Sequence, residues 1–246
     1  MNILRSLILI IPVLCIISCN SNVKKSPIAN VDVVFQEDSL KFTEPHKVFI
    51  REAISNSEEE VRNLLPNLPD SIKVIVESVD WNLDIVNGVT GRTETNYPPL
   101  VLIQISNNFR EGVIDSLYQG IRSTIFHEFH HLSRGWAIQD NKFGPGISNA
   151  MVNEGLAVAF TEIYTGNIND VNSYTEEAHN WVNEILLLPP DASYAQWVMG
   201  EHPDGRTYIG YRTGNFLARR AMNNSGKSIL ELSNLLPNEL IELAGY

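Results

Sequence analysis

The sequence predicts an α+β domain, and three observations carry that prediction. Two short runs dense in β-branched and aliphatic residues, Ile72 to Val79 and Leu100 to Ile105, lie in the first half of the chain between proline and asparagine breaks and read as strands. From about Ser116 onward the apolar residues recur at helical spacing, with glycine and proline stops between segments. The composition, 43% hydrophobic and 19% charged over 246 residues, suits one large globular domain. A formal net charge of −11 leaves no basic footprint, so neither nucleic acid nor an anionic lipid surface is expected as a partner.

Taken in order, the chain opens on a processing signal. Arg5 supplies a positive start, and Leu7 to Ile17 is an apolar run broken by Pro12 and too short to span a bilayer comfortably. It ends in Ile16-Ile17-Ser18-Cys19, which resembles a bacterial lipobox. Residues 1–18 are therefore expected to be a lipoprotein signal peptide. Cys19 is the expected lipidated residue, and the protein an exported one held by lipid in the cell envelope, facing the periplasm or the cell exterior. Cys15 and Cys19 are the only cysteines, so the domain is expected to hold no disulfide and no thiolate metal ligand.

Residues 19–40, with Lys24-Lys25 and Pro27, read as a tether in which Val31 to Phe35 forms a short strand. Residues 41–246 read as a single domain. Its first helix starts near Thr43-Glu44-Pro45, carries apolar residues at Val48, Phe49, Ala53, Ile54, Val61 and Leu64-Leu65, and stops before Pro66. Ile72 to Val79 is a strand, Asn87-Gly88 with Gly91 a turn region, and Leu100 to Ile105 a second strand, either central or at an edge.

Ser116-Leu117-Tyr118-Gln119 fits a capping box, so a helix is expected from Ser116 to Arg134, stopped by Gly135. Leu117, Ile121, Ile125, Phe129 and Leu132 would seat it in the core. A glycine-rich loop follows, then a helix capped by Ser148 or Asn149 and running to about Tyr164. Further helices are expected over Tyr174 to Leu188, Tyr208 to Met222, Ser228 to Leu235 and Asn238 to Ala244. No repeat, phosphate-cradling glycine loop or nucleophile elbow is present in the sequence.

The chemistry concentrates in His127-Glu128-Phe129-His130-His131. Two imidazoles four residues apart lie on one helical face about one turn apart, which suits two corners of a zinc tetrahedron. A catalytic zinc needs a third protein ligand and one open position. Glu154, on the next helix among small residues, has the right type, with Glu162, Asp140 and His130 as rivals. Gly155 beside it is costly in a helix interior unless the two helices approach closely. Zinc in that setting lowers the pKa of a water towards about 7, and Glu128 is placed to take its proton as general base. For the oxyanion donor Tyr211 ranks first, ahead of His202, Arg212 and Tyr208. His130, Arg134 and the tryptophans Trp136, Trp181 and Trp197 have ordinary readings as packing, surface or helix-end residues.

His127-Glu-Phe-His-His131 followed by Asn153-Glu-Gly-Leu-Ala157 resembles the gluzincin metallopeptidases, and the HHLSR and IGYRTGN stretches resemble the predicted bacterial zinc-dependent proteases called YjaZ-like. The resemblance extends over most of residues 70–240. It implies a zincin-like fold, with a small mixed sheet whose edge strand, Leu100 to Ile105, lines a cleft and pairs with an extended peptide, an active-site helix, and a mainly helical C-terminal half. It also implies His127, His131 and Glu154 as ligands of one Zn2+ per chain and Glu128 as catalytic base. Many gluzincins carry an acidic residue one turn after the glutamate ligand to orient a histidine. Here that position is Val158, which leaves Glu162 or a backbone carbonyl for the role.

The expected function is a zinc metallopeptidase acting on a peptide or protein. The alternatives are a non-catalytic metal-binding envelope lipoprotein and a zinc hydrolase of non-peptide amides. Glu128 separates the first from the second, because a structural site closes its fourth position and needs no base.

Overall fold

The computed structural model describes residues 31–37, 41–107 and 114–246. The expected signal segment and Cys19 lie outside them. Among the described residues no helix is long and apolar enough to cross a membrane.

The architecture is mixed α and β, with a small four-stranded sheet and helices making up most of the remainder. Strand β1 (Val31–Gln36), the short strand expected within the tether, pairs in parallel with β2 (Ile72–Val79), and β2 pairs in parallel with β4 (Pro99–Ser106). Strand β3 (Val89–Asn96) closes the order β1-β2-β4-β3 and runs antiparallel to β4. Helix α1 (Glu44–Leu64) begins where the sequence places it, with the Thr43 side chain accepting from His46 N–H.

Two expectations about the sheet change. Leu100 to Ile105 is an interior strand, because Val101, Leu102, Ile103 and Ile105 are all buried and so both of its faces are covered. The edge strand beside it is β3, with β1 at the other edge, and the sequence presents β3 only as a turn region. Its residues, VTGRTETN, are polar because one edge and part of one face meet solvent.

Helix α2 (Ile114–Arg134) packs across the sheet and lies over β3. It starts ahead of Ser116, so Ser116 lies within the helix and not at its cap. Ile121, Ile125, Phe126, Phe129 and Leu132 face the core. Gly135, at φ 78°, ends the helix as expected.

Helix α3 (Ile147–Thr165) is buried without a break from Ala150 to Thr161, as befits a helix surrounded by others. It starts after Gly146, and Asn149, expected as its cap, instead ties the preceding loop by donating to Phe143 O and Pro145 O. Helices α4 (Ala178–Leu186), α5 (Ile209–Ser225), α6 (Ile229–Leu232) and α7 (Pro237–Ala244) complete the C-terminal half.

The closest helix crossing is between α3 and α5. A Cβ built on Gly155 would fall 2.0 Å from the carbonyl carbon of Gly214, and one on Gly214 would fall 2.1 Å from Met151 O. Gly155 therefore does serve a close approach, but towards α5 and not towards α2.

Candidate metal centre

The i and i+4 spacing on α2 brings His127 and His131 to one face, with ring centroids 4.6 Å apart. Helix α3 crosses beside them and presents Glu154. The three ligand atoms form a nearly regular triangle: His127 Nε2 to Glu154 Oε2 is 3.1 Å, His131 Nε2 to Glu154 Oε2 is 3.1 Å, and the two Nε2 atoms are 3.0 Å apart. His131 and Glu154 are buried, and His127 is largely so.

Protons alone do not satisfy this triangle. If both Nε2 atoms carry hydrogens to donate to Glu154, those hydrogens face each other across 3.0 Å; if one is bare, its lone pair faces both another nitrogen and a carboxylate oxygen. A single cation seated over the triangle satisfies all three atoms. A tetrahedron with bonds of about 2.0–2.1 Å has edges of roughly 3.3 Å, close to the observed sides, and two imidazoles with one carboxylate are a donor set that zinc accepts. The residues present fit the ion.

The electrostatics agree. Burial pushes the Glu154 carboxyl up, but contact with His131 and His127 outweighs it and holds the group well below the usual carboxylate range, as an anion. Burial would depress His127, yet the bond to Glu154 and the charge of Glu128 raise it. The rival third ligands are engaged elsewhere. Asp140 accepts from the N–H groups of Asn96 and Tyr97, Glu162 pairs with Arg219 and Asn215, and His130 turns to Ser233.

Glu128 lies beside the triangle, buried, where burial pushes its carboxyl up against the pull of His127 and His131. Its Oε2 lies 3.0 Å from Thr93 Oγ1 on β3. Gly91, also on β3, gives it room: a Cβ there would fall 2.6 Å from Thr124 Cγ2 and 3.1 Å from Glu128 Cγ.

Tyr211 reaches the same place from α5. Its ring lies 6.1 Å from that of His127, and burial raises its pKa well above the ordinary phenol value, so it keeps its proton as a donor. It stands one turn before Gly214, and the glycine crossing brings it beside Glu154. Of the other candidate donors, Tyr208 lines the cleft, Arg212 donates to Ser173 O, and His202 pairs with Asp204 and packs on Trp197.

Three contacts were not legible in the sequence: Thr93 on Glu128, and two donors on the far oxygen of Glu154. Trp136 Nε1 and Tyr194 OH each donate to Glu154 Oε1 at 3.1 Å. Trp136 follows the Gly135 stop of α2, and Tyr194 immediately precedes a π-helical turn, Ala195–Met199. For the imidazoles, Glu162 is taken by Arg219, and His131 Nδ1 is buried with no hydrogen-bond partner among the described residues.

His130 is a buried packing residue against Phe160, and Arg134, the last residue of α2, is buried and not exposed at the helix end. Arg134 is buried, donates to Asn153 Oδ1, Ser233 O and Leu235 O, and is brought by burial to about 10, still a cation at neutral pH.

Two cavities flank the triangle and share Thr90, Gly91, Glu128, Met199 and Tyr211. One, of about 190 Å³, lies between α2 and α3 and runs to Asn167 and Asn169; the other, of about 560 Å³, is walled by Trp136, Ile138, Ile147 and Tyr194.

A family model described as Predicted Zn-dependent protease (DUF2268) matches residues 101–242. The match spans α2, α3 and α5, and so His127, Glu128, His131, Glu154 and Tyr211. Neither a curated protein nor a solved structure matches the chain.

Proposed function

The chain belongs to this family of predicted Zn-dependent proteases, and from that premise we propose that it is a gluzincin-type zinc metallopeptidase, exported and lipid-anchored through Cys19. The observation that carries the reading is the triangle of His127, His131 and Glu154 with a buried carboxylate, Glu128, beside it and outside the ligand set.

A zinc ion held by those three residues supplies Lewis acidity, acidifying a water and polarising a peptide carbonyl. The protein residues do the rest. Glu128, its carboxyl raised by burial and oriented by Thr93, accepts the proton of the attacking water and passes it to the leaving amine. Tyr211, held protonated, donates to the oxyanion.

The substrate backbone has a template in β3. Ser106 donates to Gly88 O at one end of the β3–β4 ladder, and Ile138 donates to Thr93 O from the opposite side. Alternation along the strand then leaves the polar groups of Val89 and Gly91 facing away from β4, next to Glu128. An extended peptide pairing there would send its side chains towards the two flanking cavities.

The test uses the full chain solubilised in detergent. About one zinc per chain and chelator-sensitive cleavage of an unstructured protein are expected. Absence of zinc after metal-replete purification would overturn the reading, and zinc without cleavage would favour a structural metal site.

A further inference from the structure

We propose that Trp136 and Tyr194 act together as a clamp that restricts Glu154 to one-oxygen ligation and so holds the site to three protein donor atoms; this rests on the metal-site reading above. A carboxylate oxygen offers two in-plane lone-pair sites. At Glu154 Oε1 both are taken, by Trp136 Nε1 at 3.1 Å and Tyr194 OH at 3.1 Å, while Oε2 alone points at the two imidazoles. An unrestrained carboxylate is free to turn both oxygens to a cation, adding a fourth protein donor atom. With Oε1 held, the protein offers three donor atoms and a tetrahedral ion retains one place for water or substrate.

The two donors come from different sources. Trp136 is set by the C-terminal stop of α2, where its own N–H donates to His131 O. Tyr194 belongs to the segment between α4 and α5 that also contributes Pro190, Ala192 and Met199 to the larger cavity. The orientation of the glutamate is thereby tied to a wall of the substrate cleft. Trp136 and Tyr194 are both positioning residues, touching the ligand and not the reacting atoms.

The experiment replaces zinc with cobalt(II) in the full chain in detergent, because the visible d–d bands of cobalt weaken as coordination rises from four to five. Affinity is read in parallel by competition with a colorimetric chelator, and folding by circular dichroism. The parent protein should show the intense bands of a four-coordinate site. Tyr194→Phe and Trp136→Phe should each weaken those bands, and the double variant should weaken them most and lower metal affinity by roughly 10–100-fold. Folded variants with the parent's spectrum, whatever their affinity, would overturn the clamp. Failure of the parent itself to bind cobalt or zinc would overturn the metal-site reading instead.

Discussion

Helix α2 carries two buried polar groupings on adjoining faces. On one face, His130 and Arg134 meet Asn153 and the turn after α6. Arg134 spreads its guanidinium over Asn153 Oδ1, Ser233 O and Leu235 O, and His130 Nε2 donates to Ser233 Oγ, which itself donates to Ile229 O. Burial depresses His130 well below its ordinary value, so it is neutral, and the one open atom there is its unprotonated Nδ1. On the other face, His127, His131 and Glu154 converge on a point with more lone pairs than protons can serve. Apart from that nitrogen the first grouping is satisfied by protein groups; in the second, a cation would satisfy the three atoms of the triangle, with His131 Nδ1 open behind it. Burial of polar residues marks neither as functional. The direction in which their donors and acceptors remain unmatched does.

The comparison is sharpened first by Glu128→Gln, which changes the proposed base and leaves the triangle. Cleavage should fall by roughly 10²–10⁴-fold while zinc content stays that of the parent by metal analysis. Loss of zinc in that variant would make Glu128 part of the holding site.

Removing the metal should come next in size. With free zinc at about a thousand times its dissociation constant, urea unfolding should show about 4 kcal/mol more stability than in excess chelator. That difference should vanish in His131→Ala. An equal difference in His131→Ala would place the zinc elsewhere.

Arg134→Met attacks the other grouping. It strands carbonyls that Arg134 serves and should cost roughly 3 kcal/mol in unfolding experiments, with zinc per folded chain unchanged. A loss of zinc at unchanged stability would reverse the two roles.

The smallest effect is expected at Thr93→Val, which removes a hydroxyl whose one proton is shared between the carboxylate and the backbone carbonyl of Glu128. Cleavage should drop about fivefold, corresponding to ~1 kcal/mol, with zinc retained. A drop as large as that of Glu128→Gln would give Thr93 a direct part in the chemistry.

The site was legible in the sequence where it is local. His127, Glu128 and His131 follow from helical geometry alone, and Glu154 from its type and its small neighbours. Legibility failed where a contact depends on how distant segments return. Tyr194 reaches Glu154 from another helix connection, and Trp136 from beyond a helix stop. The sheet shows the same division. The apolar runs of β2 and β4 announced strands, whereas β3 carries its information in backbone pairing to β4, which leaves little trace in a polar run such as TGRTETN. Gly155 was recognisable as a residue that needs a reason, but the partner helix was not, since a glycine states that something comes close without stating what.

That glycine contact has a practical meaning for anyone who alters the cleft. With a built Cβ on Gly155 only 2.0 Å from the Gly214 carbonyl carbon, no side chain separates α3 from α5 at the crossing. Glu154 next to one glycine and Tyr211 a turn from the other are both dimensioned from the same point, as two parts are from a shared reference edge. Redesign of substrate preference has latitude at Val158, Met199 or Tyr208, and almost none at Gly155 and Gly214.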